Sequence, residues 1–259
     1  MSRYLGVETP FGVAHRGGAL EALENTPTAF HRAIELGYRV IETDVQATAD
    51  GKLVVVHDGD TARISTHVVE ISRVTWDVLS RVELLNGDRL WLLDELLAFL
   101  PTDCRLNIDP KSDSAVTPLI ALFKGRPELL KRICVGSFSS ARLRQLRNAV
   151  PGLSSSLGMR EMALLVLAFV SRRNPQNIKK RLPSGVVAVQ VPAQAYGFNF
   201  TSPAFIQFIH QLGLDIHVWT IDSEQDMQGI YACGADAVMT DRPSILKKVL
   251  HELGHWKGE

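Results

Sequence analysis

Net charge is absent from this chain: Lys plus Arg and Asp plus Glu both number 28 in 259 residues. A neutral protein has no global field to gather nucleic acid, so no nucleic-acid partner is expected and any anion must be held locally. The neutral balance permits a monomer or a homodimer without demanding either. Cysteine is scarce as well. Cys104, Cys134 and Cys233 are odd in number, scattered and without CxxC spacing, which argues against a disulfide framework or a zinc knuckle and suits a reducing cytoplasm. Long apolar runs are missing too. The longest, Met162 to Val170, lies between Arg160 and Arg172 and falls far short of the ~20 residues a membrane span needs. Arg3 is followed by no apolar run before Glu8 and Thr9, and the first strand is expected from Phe11, so no signal peptide is expected.

What is present is a chain with 46% hydrophobic residues, close to the roughly 250 residues of a (β/α)8 barrel. Short β-branched runs alternate with stretches of helical period, the pattern of a parallel sheet covered by helices. Candidate strands are Gly12 to His15, Val40 to Asp44, Leu53 to His57, Arg105 to Asp109, Ile133 to Gly136, Ser154 to Leu157, Val186 to Gln190, Ile216 to Trp219 and Ala237 to Thr240. That is one more than a barrel needs. The segment Val45 to Lys52 is shorter than the dozen or so residues of a parallel crossover, and Asp50-Gly51 is a hairpin turn signal. The strand carrying Glu42 and Asp44 should therefore rise past the barrel rim, turn, and bring His57 back toward them.

Thr26-Pro27 should open a helix that Gly37 stops, and Asp94 should cap another that runs to Leu100-Pro101. Residues 59–92 fit no strand-helix unit and are expected to form an elaborated loop with a short helix near Trp76. With no internal repeat or low-complexity linker, the expectation is one domain over 1–259: a TIM barrel with a β-hairpin and a small insertion, at about 59–92, on the catalytic face.

Glu42 and Asp44 are two apart on a strand and point to one side, at the strand end where barrel active sites lie. Asp109 ends a later strand and would add a third carboxylate. Two carboxylates ~5 Å apart repel by roughly 3 kcal/mol at an effective dielectric near 20, so three together should protonate or bind a cation. All-oxygen ligation favours Mg2+ or Ca2+ over zinc. His15 and His57 also stand at strand ends, and a pKa near ~6.5 lets one give and the other take a proton at neutral pH. Arg16 as a fork and Lys111 as a point charge could both reach a phosphate there, with Gly17 and Gly18 allowing close backbone approach. His31, His67, His210 and His217 read as packing or surface residues.

These segments match a family. His15-Arg16-Gly17 with Glu24-Asn25-Thr26, Glu42-Thr43-Asp44-Val45 and Asp50-Gly51 followed by Val55-Val56-His57-Asp58 come first. Asp109 with Lys111, Val218-Trp219-Thr220, and Gly234-Ala235-Asp236 to Thr240-Asp241-Arg242-Pro243 complete the set. Together, and in this order, they resemble the glycerophosphodiester phosphodiesterases of bacterial cytosolic type. The resemblance implies a TIM barrel that hydrolyses glycerophosphodiesters, such as glycerophosphocholine and glycerophosphoethanolamine, to sn-glycerol 3-phosphate and an alcohol with one divalent cation. It implies His15 and His57 as the acid/base pair, Glu42, Asp44 and Asp109 as metal ligands, Arg16 and Lys111 as phosphate clamps, and Trp219 as an apolar wall for the glycerol. Gly17, Glu24 and Asn25 would brace the His15 loop. Either the glycerol 2-hydroxyl or water could be the nucleophile.

The chain departs from the family where Asp109 replaces the usual Glu, which retracts that ligand by about 1.5 Å. Arg39 stands where the family often carries an acid, and only Thr61, Arg63 and Thr66 match in the loop after Asp58, which is expected to meet the alcohol end of the substrate.

Three other readings compete. His251-Glu252-Leu253-Gly254-His255 matches the HExxH zinc-protease signature, yet Gly254 weakens the helix it needs and Trp256 to Glu259 holds no third histidine. Ala163 to Val170 followed by Arg172, Arg173, Lys179, Lys180 and Arg181 could serve a lysophospholipase D or a membrane-associated lipid-binding barrel. An ordinary barrel helix with a solvated basic end is preferred there, so membrane association is not expected. A binding-only barrel is disfavoured because both histidines and all three carboxylates are retained.

Overall fold

Eleven strands alternate with helices in the computed structural model, which describes residues 4–257. The strands are β1 (Phe11–Ala14), β2 (Val40–Ala47), β3 (Leu53–Val55), β4 (Arg105–Pro110), β5 (Ile133–Val135) and β6 (Ser154–Ser156). They continue with β7 (Val186–Pro192), β8 (Gln194–Ala195), β9 (Phe198–Asn199), β10 (Asp215–Trp219) and β11 (Ala237–Thr240). Eight of them are parallel neighbours in the order β1-β11-β10-β7-β6-β5-β4-β2, and Ala14 pairs with Ile41 to join β2 back to β1. The sheet is therefore a closed eight-stranded parallel barrel, the TIM architecture.

The ninth strand of this sheet, β3, runs antiparallel to β2 with Val45 opposite Val55 and Ala47 opposite Leu53. The Asp50-Gly51 turn, with Gly51 at φ +75°, thus returns the chain along β2, and the Val56 amide donates to the Asp44 carbonyl at 3.1 Å. One hairpin was not anticipated. β8 and β9 pair through Ala195 and Phe198 across Tyr196 (φ +52°) and Gly197 (φ +73°), the two positive φ angles of a tight hairpin turn.

Helix α1 (Pro27–Glu35) starts as expected: the Thr26 hydroxyl accepts from the Ala29 amide at 3.3 Å, and Pro27 occupies the first turn. Residues Ala29, Phe30 and Ala33 on its inner face are buried. A short α2 (Trp76–Leu79) lies in the insertion, whose Ile64, Ile71, Leu79, Val82, Leu84 and Leu90 pack on Val54 and Val56 as a small core of their own. Helix α3 (Leu93–Phe99) begins earlier than the sequence suggests. Leu92 is its N-cap, the Glu95 carboxylate accepts from the Leu92 amide at 2.7 Å, and Asp94 is an exposed partner of Arg126.

The remaining helices are α4 (Val116–Gly125), α5 (Ser140–Ala149), α6 (Met159–Val170), α7 (Pro175–Lys179), α8 (Pro203–Leu212), α9 (Glu224–Ala232) and α10 (Pro243–Glu252). Their buried faces form the main core against the outside of the barrel, as with Phe205, Ile206, Ile209 and Leu212 of α8. A second cluster, including Val13, Val40, Cys134, Ala188, Ala237 and Met239, packs separately with Tyr4 and Phe11. Helix α10 ends at Glu252 and Gly254 is left-handed at φ +72°. His251 and His255 are both exposed and do not share a helix, so the HExxH run has no metal-binding geometry.

Candidate active site

The barrel strand β1 stops at Ala14, and His15 to Gly17 forms a single tight turn in which Arg16 (φ +53°) and Gly17 (φ +79°) leave the extended region. Gly17 is required by space as well as by angle, since a Cβ there would lie 2.8 Å from Ala29 Cβ. The turn aims two groups of Arg16 at β2 and a third at Glu24. The Arg16 amide donates to Glu42 Oε2 at 3.1 Å, Arg16 Nη1 donates to both Glu24 oxygens at 3.1 and 3.2 Å, and Arg16 Nε lies 2.9 Å from Asp44 Oδ2. Asn25, itself left-handed at φ +55°, donates to Asp44 Oδ2 at 2.9 Å and accepts from Thr43 Oγ1 at 2.8 Å. Glu24 also receives Arg63, at 2.6 and 2.8 Å.

Both histidines carry a carboxylate on Nδ1. His15 Nδ1 donates to Asp241 Oδ1 at 2.6 Å and His57 Nδ1 to Asp58 Oδ1 at 2.6 Å. His15 Nε2 lies 3.7 Å from Glu42 Oε2. Burial of His15 favours its neutral form, but the Glu42 and Asp241 carboxylates outweigh it and raise its pKa. Burial disfavours the Asp58 carboxylate, yet His57 and Arg63 hold its pKa below the usual value.

Asp44 faces Asp109 across the β2–β4 register. Lys111 Nζ sits 2.9 Å from Asp44 Oδ1 and donates to Asp109 Oδ2 at 2.7 Å. Burial pushes Glu42 up to about 7, and the neighbouring Asp44 charge adds to it. Asp109 is also raised by burial, with Lys111 opposing. Asp44 goes the other way despite its burial, because Lys111 and Arg16 hold it ionised.

Among the described residues no three His, Cys, Asp or Glu side chains converge as a metal-binding group. Two observations nevertheless fit a hard cation at Glu42, Asp44 and Asp109. Asp44 Oδ1 is buried and makes no hydrogen bond, its Lys111 contact lacking the alignment for one. Glu42 and Asp109 line the cavity beside it, and both are pushed up chiefly by burial, a cost to their charged forms that a bound cation would offset. The all-oxygen donor set suits Mg2+ or Ca2+.

His15, Arg16, Glu42, His57, Asp109 and Lys111 all line one cavity of about 690 Å³, and Trp219, at the end of β10, lines it with them. Asp44 is fully buried and lies outside the lining. Beyond the charged residues and the polar Asn107, Ser137, Ser156 and Gln190, the wall is mostly apolar, with Phe138, Leu157, Met159, Met162, Val166, Phe198 and Phe200. Phe138 packs edge-on against Trp219 with ring centroids 5.5 Å apart. Residues 58–72 contribute nothing to this cavity. The divergent loop instead borders a separate depression of about 580 Å³, where Gly59, Asp60, Val68, Glu70 and Ser72 meet Lys111.

Asp241 as the partner of His15, and Phe138 on the apolar wall, were not anticipated. Asp241 lies 226 residues from His15, and no periodicity links positions so far apart. The other histidines are placed as expected. His31 packs on Phe99, His210 pairs with Asp236, His67 is exposed, and His217 is buried against Tyr4 and Phe11.

Residues 15–245 match the Glycerophosphoryl diester phosphodiesterase family. The chain belongs to this family. It is therefore a phosphodiesterase. A probable glycerophosphodiester phosphodiesterase 2 of Mycobacterium tuberculosis is 34% identical over 95% of this chain and 92% of its own. A human lysophospholipase D is 25% identical over 92% of this chain and 85% of its own. The crystal structure of the glycerophosphodiester phosphodiesterase from Thermotoga maritima superposes with a TM-score of 0.71 at 27% identity, covering 92% of this chain and 97% of that one.

Proposed function

We propose that this phosphodiesterase hydrolyses glycerophosphodiesters such as glycerophosphocholine and glycerophosphoethanolamine to sn-glycerol 3-phosphate and an alcohol, with His15 and His57 as its acid/base pair. The observation that carries this reading is two histidines on one cavity, each with Nδ1 against a carboxylate at 2.6 Å. A carboxylate accepts the Nδ1 proton, which sets the tautomer and leaves Nε2 as the atom that exchanges protons. One Nε2 takes the proton of the attacking hydroxyl as its oxygen bonds to phosphorus. The other gives a proton to the alkoxide oxygen as its bond to phosphorus breaks. The attacking hydroxyl belongs either to the glycerol itself or to water, and a cyclic phosphate released on the way to product distinguishes the first route.

Arg16 and Lys111 would hold the phosphate against the cavity floor, Arg16 by its planar fork and Lys111 as a point charge. Glu24 and Asn25 brace Arg16 and Asp44, and Gly17 lets the turn close on α1. Glu42, Asp44 and Asp109 would hold Mg2+ or Ca2+, which when bound supplies positive charge to the phosphoryl oxygens. The free thiols of Cys104, Cys134 and Cys233 suit a reducing cytoplasm.

The test is release of sn-glycerol 3-phosphate from glycerophosphocholine and glycerophosphoethanolamine with Mg2+ or Ca2+ added, and with EDTA as control. Metal-dependent release abolished by EDTA is expected. Equal release in EDTA would remove the cation from the reading, and no release with either metal would remove these substrates.

A second reading is favoured by the aliphatic part of the wall, Leu157, Met159, Met162 and Val166, which suits an acyl chain better than a choline or ethanolamine head group. In that reading the substrate is a lysophospholipid, and lysophosphatidylcholine assayed beside glycerophosphocholine decides between them.

A further inference from the structure

Helix α6 (Met159–Val170) is apolar on almost every side. Its inward residues Met162, Leu165 and Ala168 are buried. Met159, Met162, Ala163 and Val166 line the cavity. Its outer face is formed by Leu164 (67% exposed), Leu167 (60%) and Val170 (63%). At 100° per residue, Met159, Val170, Ala163 and Leu167 follow one another round the helix and Leu164 comes next beyond Arg160, so the outer stripe continues from the cavity-lining stripe with one cation set into it. Six of the eleven large apolar side chains exposed among the described residues are on this helix or at the cavity mouth: Met159, Leu164, Leu167, Val170, Phe138 and Tyr196. A surface helix normally turns polar residues outward, and an apolar patch concentrated beside a binding cavity marks an interaction surface.

The charge around it says what covers it. Arg160, Arg172, Arg173, Lys179, Lys180 and Arg181 flank the face, and Glu161, already paired with Arg147, is the only acid between Met159 and Gly185. All six cations are exposed, and none makes an ion pair or side-chain hydrogen bond among the described residues. This local excess stands out on a chain of zero net charge. A second copy meeting the same face about a two-fold axis would set this basic cluster against itself. A lipid surface with anionic head groups would satisfy both the cations and the apolar stripe.

We propose that α6 lays its outer face on an anionic lipid surface, held by the basic residues on either side of Leu164 and Leu167. In that orientation Phe138, Met159 and Tyr196 at the cavity mouth meet the same surface, and an acyl-bearing phosphodiester can pass along α6 to the phosphate-binding end. That last step rests on the phosphodiesterase reading above, whereas the docking itself does not.

The experiment is sedimentation of the full chain with vesicles of equal parts phosphatidylglycerol and phosphatidylcholine, and with pure phosphatidylcholine vesicles. The protein should pellet with the anionic vesicles, leave them at about 0.5 M salt, and stay in the supernatant with the neutral ones. Leu164→Glu/Leu167→Glu should lower partitioning at least about tenfold while leaving turnover of dissolved glycerophosphocholine unchanged. Should that variant fail to fold, Lys179→Glu/Lys180→Glu gives the same readout on charge alone. Wild-type protein in the supernatant of every vesicle, or a variant that pellets as the wild type does, would overturn the proposal. So would a wild-type dimer that Leu164→Glu/Leu167→Glu splits to monomers, since the face would then belong to a second copy. Pelleting without turnover of any substrate would leave the docking standing and remove the functional reading.

Discussion

The two ends of the cavity are made in different ways. The charged end comes from β1, β2, the β3 hairpin and β4, where each functional side chain is held by another: His15 by Asp241, His57 by Asp58, Arg16 by Glu24, and Lys111 by Asp109. The apolar end comes from α6, the β8–β9 hairpin and the chain after β5, where Met159, Phe138 and Tyr196 stand largely exposed. Proton transfer and phosphate binding need fixed geometry, which cross-bonded strand ends supply. An apolar wall needs only area and shape. On the proposed function, the reaction is set at one end and the choice of substrate at the other, so variants of the two ends should differ in kind.

The largest effect is expected at the charged end. His57→Ala, or His15→Ala, should lower kcat by about 10²- to 10⁴-fold with a far smaller change in KM. Steady-state release of sn-glycerol 3-phosphate measures both. Full turnover in His57→Ala would break the division of labour at its root.

A third histidine sharpens the point, because it lies in the same barrel without a carboxylate on its ring. Burial pushes His217 down to about 4, and Asp236 offsets this only in part. Its folded pKa lies below the unfolded value of about 6.5, so the unfolded state binds the extra proton between these two pH values. Stability is then full above about pH 6.5 and falls as the pH drops toward 4, by about 3 kcal/mol in all. Urea unfolding at pH 7 and pH 4.5 measures the loss, and His217→Phe should remove most of it. An unchanged slope in that variant would move the acid sensitivity to the carboxylates.

Gly17→Ala tests how tightly the charged end is built. At φ +79° with its new methyl 2.8 Å from Ala29 Cβ, the substitution should cost roughly 2 kcal/mol, read as a lower denaturant midpoint. A neutral result would mean that the His15 turn can shift without disturbing α1.

The charged end was largely legible in the sequence and the apolar end was not. Strand period alone puts Glu42 and Asp44 on one side, and the short Asp50-Gly51 link forces His57 back beside them. These are local signals. Asp241 reaches His15 only through the closure of β11 on β1, which no window of sequence contains. The β8–β9 hairpin was missed because Tyr196-Gly197 lacks the Asn or Asp that usually announces such a turn. Asp94 misled for the opposite reason: it is a good cap residue, but Glu95 reaches back to the Leu92 amide and starts α3 earlier. The apolar run of α6 was visible, yet which of its residues face the cavity depends on how the helix docks against the barrel.

The smallest effect is expected where that packing decides. Trp219 ends β10 half-buried, with the Phe138 ring edge-on at 5.5 Å. Both rings line the cavity. Trp219→Ala removes apolar area but no group that donates or accepts a proton, so kcat should stay within a few-fold while KM rises about tenfold, near 1.4 kcal/mol. Running glycerophosphocholine and lysophosphatidylcholine side by side separates two roles for the ring. An equal rise for both would place it against the glycerol common to them, and a larger rise for the lysolipid would place it against the acyl chain. A fall in kcat of a hundredfold or more for either would mean that the apolar end orients the reacting phosphate, and the two ends would then have to be treated as one.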